Sequence, residues 1–219
     1  SIDEKFIEAM LLSLDEFLAK ARERLAKSGA KLYIIPGNDD YKEVAEHVKA
    51  NADGTIVPFD EKIVDIDGYS LLGYGYSNPT PWHTPREKEE KEIYADLRRM
   101  ARGIDASSSI YAIHVPPYDT KIDQAPKLTK DLKPITAGGY VNTQPVGSVS
   151  VRRIIEEYPP IVGLHGHVHE SSGIDYVQCK SGSSVPVLNP GSDYNAGILR
   201  GIIVELEGGS MKRYTFTKG

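Results

Sequence analysis

Hydrophobic positions follow a helical period at the start of the chain and a strand period at its end. In residues 2–27, Ile7, Leu11, Leu14, Leu18, Ala21 and Leu25 recur at alternating spacings of four and three, and Phe6, Met10 and Phe17 widen the stripe. This predicts an amphipathic helix covering a sheet, with Gly29 as its C-terminal cap. Lys31 to Ile35 reads as a buried strand stopped by Pro36, and Tyr41, Val44, Ala45 and Val48 mark a second helix. Residues 63–66 and 69–73 predict a hairpin through Asp67-Gly68. Residues 74–85, rich in Gly, Pro, Tyr and Asn, predict a surface loop. Arg86 to Ala101 predicts a charged surface helix with a thin stripe of Ile93, Leu97, Met100 and Ala101.

Ser109 to Ile113 is the next predicted strand and runs into His114-Val115-Pro116-Pro117. Residues 118–146 are too long for an ordinary connection, so a lid or binding loop is expected. A short helix opens at Gly147-Ser148, carries Val151, Ile154, Ile155 and Tyr158 on one face, and stops at Pro159-Pro160. The apolar run 160–164 then leads into His165-Gly166-His167-Val168-His169. Residues 176–180 and 185–188 alternate like strands, the second ending in Asn189-Pro190-Gly191-Ser192. Residues 198–206 and 211–217 form a last hairpin through Gly208-Gly209. Strands alternating with helices early and hairpins late predict an α/β fold of two mixed sheets packed together, with helices outside.

Composition narrows the partners. A net charge of −5 argues against nucleic-acid binding driven by phosphate neutralisation. Lys121, Lys127, Lys130 and Lys133 cluster in the long loop, where lysines ordinarily keep a loop solvated. A single Cys179 excludes an intrachain disulfide and a cysteine-based zinc cluster, and points to a cytoplasmic setting. No apolar run reaches membrane-spanning length, so no membrane partner is expected. A homo-oligomer is left open.

Three loops carry candidate chemistry, each directly after a predicted strand: Asn38 with Asp39 and Asp40, then His114, then His167 and His169. An amide oxygen combined with imidazole nitrogens suits Mn, Fe or Zn better than Mg or Ca. Each group alone has a plainer reading. Asn38 suits a turn, Asp39-Asp40 a helix cap, and His114 a hydrogen-bonded structural role. Their ordered combination is more specific.

Gly37-Asn38-Asp39-Asp40, His114-Val115-Pro116-Pro117 and Gly166-His167-Val168-His169 resemble, in order, the third to fifth motifs of the calcineurin-like metallophosphoesterases. Asn189-Pro190-Gly191-Ser192 resembles a stretch common in the small bacterial and archaeal phosphodiesterase branch of that family. The resemblance covers roughly residues 31–205. It implies a four-layer α-β-β-α sandwich of two mixed sheets flanked by helices. It also implies a single domain with a variable insertion at about 74–146. The implied activity is hydrolysis of phosphodiesters or phosphomonoesters, by in-line attack of hydroxide held on two divalent transition ions, with Mn favoured. Asn38, His114 and His167 would bind the second ion and His169 the first. His165 has no motif role and is expected to be structural. The implied partner is a small phosphate ester.

Two departures matter. The family opens with DxH and GDxxD motifs, and neither precedes Gly37. The expectation is that an N-terminal portion is missing; the alternative is a degenerate member serving as a non-catalytic binding module. Asp39 also stands where the family has a histidine that protonates the leaving group. It is the candidate catalytic residue, with an intrinsic pKa of ~3.9 against ~6.5 for histidine.

Overall fold

The computed structural model describes residues 2–219, with side chains from residue 4 onward. Helix α1 (Ile2–Leu25) precedes β1 (Leu32–Ile34), α2 (Lys42–Ala50) and β2 (Ile56–Pro58). Strands β3 (Lys62–Ile66) and β4 (Tyr69–Tyr74) lead to α3 (Glu90–Ala101) and β5 (Ser109–Ile113). An arm follows, built from β6 (Gln124–Pro126), β7 (Thr136–Ala137), β8 (Tyr140–Val141) and β9 (Thr143–Pro145). Next come α4 (Val149–Glu157), β10 (Val162–Leu164), β11 (Gly173–Gln178), β12 (Ser184–Asn189) and the hairpin of β13 (Arg200–Glu207) and β14 (Ser210–Lys218).

A six-stranded mixed sheet in the order β11-β12-β10-β5-β4-β3 is the centre. Its four inner strands are parallel, and β11 and β3 are antiparallel edges. Alternation along each strand sends side chains to opposite faces. Leu72, Tyr74, Tyr111, Ile113 and Val187 meet the apolar stripes of α3 and α4 on one face. Leu71, Ile110, Val162 and Leu188 face Tyr33, Ile35, Ile202, Leu206 and Met211 on the other. The parallel β1–β2 pair and the β13–β14 hairpin therefore cover the second face. They do so by side-chain packing, and no strand ladder joins them into one sheet among the described residues.

Local expectations hold where local chemistry sets them. Asp67 and Gly68 both have positive φ in the hairpin turn, Gly29 takes φ +71 after α1 with its N–H on the Leu25 carbonyl, and the Ser148 side chain caps α4 through Val151 N. Several others are corrected. The α3 stripe is fully buried core, because α4 packs along it. That helix begins at Glu90, since Arg86 to Lys88 are held against Ser77 by backbone bonds. Residues 74–85 are not all surface: Gly75 and Ser77 are buried. The Gly75 backbone lies so close to Pro36 that a Cβ there would sit 2.2 Å from its carbonyl oxygen, an approach open only to glycine. Strand β1 is half-buried because its ladder has a single partner, β2. Along α1 the predicted line faces inward around fully buried Leu18, but Phe6 and Phe17 are exposed, Phe6 packing only edge-to-face on Tyr41 at the start of α2.

Within residues 74–146, α3 and β5 belong to the core; the part that stands apart is the arm around β7–β8. No described helix is long and apolar enough to cross a membrane. Cys179 is a free, buried thiol.

Candidate metal centre

Parallel strands share a direction, so their carboxyl ends line one edge of the sheet, where open α/β sheets place ligands. His114 follows β5 and the 165–169 loop follows β10. The two are stitched together by Gly166 N–H donating to the His114 carbonyl at 2.9 Å. The turn after β1 brings Asn38 to the same edge. Arg86 fastens that turn: its backbone N–H reaches the Asn38 carbonyl at 2.9 Å, and its Nε reaches the Gly37 carbonyl at 3.1 Å. Asp60 neutralises the buried guanidinium at 2.6 Å.

Asn38 Oδ1 lies 2.8 Å from His114 Nε2 and 2.9 Å from His167 Nδ1. The two rings are edge-to-face, 5.2 Å apart. Both nitrogen–oxygen separations are those of N–H···O hydrogen bonds; they are also close to the roughly 3.0 Å between adjacent ligands of an octahedral ion about 2.1 Å away. Burial, then the charges of His167, His169, Arg86 and His165, lowers the His114 pKa to about 3. Burial and then His169 lower that of His167 to about 4. Both rings are thus neutral at pH 7, the form that ligates metals.

His167 has φ +64. Val168 N–H bonds the Gly166 carbonyl across it at 2.7 Å, closing a three-residue γ-turn. This conformation costs a non-glycine residue about 1–3 kcal/mol and persists only when its surroundings impose it. Buried Asn189 imposes it. Its Nδ2 lies 2.9 Å from the Val168 carbonyl, 3.1 Å from that of Gly166 and 3.4 Å from that of Ile122. Its Oδ1 accepts from Gly191 N–H at 2.8 Å. Asn189→Ala removes a second donor from the Gly166 and Val168 carbonyls, which keep Val168 N–H and Ser171 N–H, and takes away the donor to Ile122 and the acceptor of Gly191 N–H; it is expected to cost about 1–3 kcal/mol. Urea unfolding measures this, and a loss below about 1 kcal/mol would show that the turn supports itself.

His165 is turned away from the other imidazoles. Its Nδ1 donates to the carbonyls of Ile113 and Val115 at 2.8 and 3.1 Å, strapping the backbone on either side of His114. Burial outweighs those bonds and lowers its pKa to about 4. His169 is exposed and packs edge-to-face on Tyr194 at 5.4 Å. Among the described residues, no three His, Cys, Asp or Glu side chains gather as they would around an ion; the third donor of the centre is an amide.

Asp39 is exposed. Asp40 is the structural carboxylate of the loop, accepting from Gly37 N–H at 2.6 Å. Burial raises its pKa against the opposing pull of that bond and of Arg86. Because Asp40 turns back into the loop, it does not cap α2, whose N-cap is Tyr41 without a side-chain bond.

A cavity of about 550 Å3 opens over the centre. Asn38, His167 and His169 form one side. Trp82, Leu128, Leu132, Pro126, Pro134 and Tyr194 supply apolar wall, and Asp39 and Glu170 the carboxylates. No lysine or arginine lines it among the described residues; Lys121, Lys127, Lys130 and Lys133 are all exposed elsewhere.

Sequence reasoning missed Thr84 and Glu87. Asn38 Nδ2 donates to Thr84 Oγ1 at 2.8 Å, and Thr84 Oγ1 donates to Glu87 Oε1 at 2.6 Å. Burial alone would raise the Glu87 pKa, but hydrogen bonds from Thr80 and Thr84 outweigh it and bring it to about 2. The sequence signal, a Thr-x-x-Glu just ahead of a helix, is too common to single out.

No family model matches the chain. It is 34% identical over 173 residues to the uncharacterized protein MJ1162 of Methanocaldococcus jannaschii, an overlap spanning 77% of this chain and 68% of that protein. One solved structure superposes with a TM-score of 0.56 over 98% of this chain and 72% of its own, at 18% identity, which shows a shared fold alone. The Thermus thermophilus protein TT1561 superposes with a TM-score of 0.47 and 14% identity, over 85% of this chain and 71% of that one.

Proposed function

The chain belongs to the family of MJ1162 of Methanocaldococcus jannaschii, and from the chemistry of its own site we propose that it is a metal-dependent phosphoesterase of the calcineurin-like type. The observation that carries this reading is the convergence of His114 Nε2 and His167 Nδ1, from the ends of neighbouring β5 and β10, on Asn38 Oδ1, from the turn after β1 in the strand pair packed on that sheet. These residues would hold one divalent transition ion, with Mn favoured. His169 would serve a second ion. Such ions, when bound, neutralise phosphoryl charge and acidify water. The placement of α3 and α4 on one face of the central sheet, and of two strand pairs on the other, supports the four-layer α-β-β-α sandwich of that family.

The chain's own residues select the ester. Trp82, Leu128 and Leu132 offer apolar wall to its organic group, and Asp39 and Glu170 set negative charge beside it. A singly charged diester suits that cavity better than a doubly charged monoester, because among the described residues no lining lysine or arginine offsets the second charge. Asp39, exposed at the cavity, is the residue that the family resemblance would assign to the leaving group. Purified protein with added Mn2+ is expected to hydrolyse a bis-aryl phosphate, and to favour it over the aryl monoester by roughly tenfold, about 1.4 kcal/mol of transition-state energy. No turnover on either ester by Mn2+-loaded protein would reject the enzyme reading. That outcome favours the second one, a binding module on the same scaffold, which draws support from the lack, among the described residues, of a carboxylate or third histidine at the centre.

A further inference from the structure

We propose that Thr84 and Glu87 are positioning residues that fix which end of the Asn38 carboxamide faces the two histidines. They thereby decide whether the centre offers oxygen or N–H to a cation. The consequence for metal binding rests on the proposed metal centre; the hydrogen-bond polarity does not.

A carboxamide is nearly symmetric in shape, and half a turn about its last bond exchanges oxygen for NH2 at little steric cost. One orientation of Asn38 gives a cation ligand, and the other gives a group that repels cations. The choice is made by residues far along the chain. Thr84 N–H is a donor whose polarity cannot invert, and it bonds Glu87 Oε1 at 2.8 Å. The same oxygen accepts from Thr84 Oγ1 at 2.6 Å and Thr80 Oγ1 at 2.5 Å. An ionised carboxylate only accepts, so the Thr84 hydroxyl must place its one proton there. What it turns toward Asn38 is therefore a lone pair, which calls for Nδ2–H, found at 2.8 Å. Oδ1 is left pointing at His114 Nε2 and His167 Nδ1. Without an ion, each ring must then bring an N–H to that oxygen. The polarity sets the tautomers: Nε2–H on His114 and Nδ1–H on His167.

A threonine that merely fills space would be replaced by valine without effect on polarity. The test uses the full, metal-free chain labelled with nitrogen-15, with the imidazole tautomers read by two-bond proton–nitrogen spectra near neutral pH. The unmodified protein is expected to show the two tautomers just named. In Thr84→Val the acceptor that holds Nδ2 is gone, both orientations of the Asn38 amide become available, and the tautomers become a mixture. Thr84→Ser keeps the original pair, as does Glu87→Gln, whose Oε1 still accepts. Glu87→Ala frees the hydroxyl and gives a mixture, which carries the test if Thr84→Val does not fold. Mn2+ titration followed by electron paramagnetic resonance supplies a second readout: Thr84→Val should weaken binding roughly 10–100-fold, as loss of an outer-shell partner does, and Thr84→Ser should restore it. Unchanged tautomers in both Thr84→Val and Glu87→Ala would overturn the proposal. Tautomers that follow the scheme in a protein that binds no Mn2+ would support the relay and overturn the metal reading.

Discussion

His167→Ala is expected to lower Mn2+ affinity by more than the roughly 10–100-fold typical of losing an outer-shell partner, and to bring bis-aryl phosphate hydrolysis to background. The substitution removes one of three converging donors and leaves Asn38 and His114, two ligands for an ion that ordinarily takes at least four. Its effect on the fold should be small. The lost hydrogen bond to Asn38 is worth about 1 kcal/mol, and alanine keeps the φ +64 strain without adding to it. Binding and stability are thereby separated: Mn2+ titration should show a large change where urea unfolding shows about 1–2 kcal/mol. His169→Ala serves as the contrast, because His169 is exposed and outside the three-donor group, and Mn2+ should still bind at Asn38, His114 and His167. Retention of full Mn2+ affinity in His167→Ala would remove this residue from the centre and end the metal reading.

The second large effect is acid sensitivity of the metal-free protein. Folding holds His114 at about 3 and His165 and His167 at about 4, against ~6.5 in an unfolded chain. The folded pKa values are the lower ones, so the unfolded state takes up protons first as pH falls. The stabilisation is fully present above pH ~6.5 and is lost progressively toward pH 4 and 3. Each histidine contributes a slope of about 1.4 kcal/mol per pH unit, so all three give about 4 kcal/mol per unit near pH 5. Two of them share one acceptor, Asn38 Oδ1, so their protons come on as a coupled pair. Typical domains have about 5–15 kcal/mol of stability, so a domain with about 5–9 kcal/mol should reach its acid-unfolding midpoint between about pH 4 and 5.5. Urea unfolding of chelator-treated protein from pH 4 to 8 measures this directly. His165→Gln should lower the slope by about a third. A profile flat from pH 7 to 5 would show that these rings protonate in the folded state.

The legible parts of the fold are those with local causes. Asp67-Gly68 reads as a hairpin turn because both residues tolerate positive φ. Ser148 reads as the start of a helix because its hydroxyl caps Val151 N–H three residues on. Strand β5 matches its predicted span, Ser109–Ile113, because an apolar run followed by a polar break is a property of the strand itself. The α3 stripe was visible, but its burial was not: depth depends on α4, more than 40 residues away, packing along it.

The site divides in the same way. Asn38, His114 and His167 stand out in the sequence because each follows a predicted strand; the adjacent parallel strands β5 and β10 deliver their ends to one edge, while packing of the separate β1–β2 pair brings Asn38 there. The pattern of alternating histidines at 165, 167 and 169 cannot say which ring goes where. Tertiary structure settled that by three different means: carbonyls of Ile113 and Val115 capture His165, the Asn189 amide holds the turn that aims His167 inward, and His169 is left exposed against Tyr194. Nor does the sequence show that Thr84 and Glu87 stand behind Asn38, since their contact spans 46 residues and uses groups found in any loop. Spacing and residue type alone determined, to about a residue, the ends of β1, β5 and β10 and the chemistry carried there, because both are set within a few residues; β11 ends at Gln178 rather than Lys180, and β2 and the strands of the arm were not legible. The direction of each ring and amide was decided only by the assembled fold, because hydrogen-bond partners distant in sequence choose among rotamers that are locally equivalent.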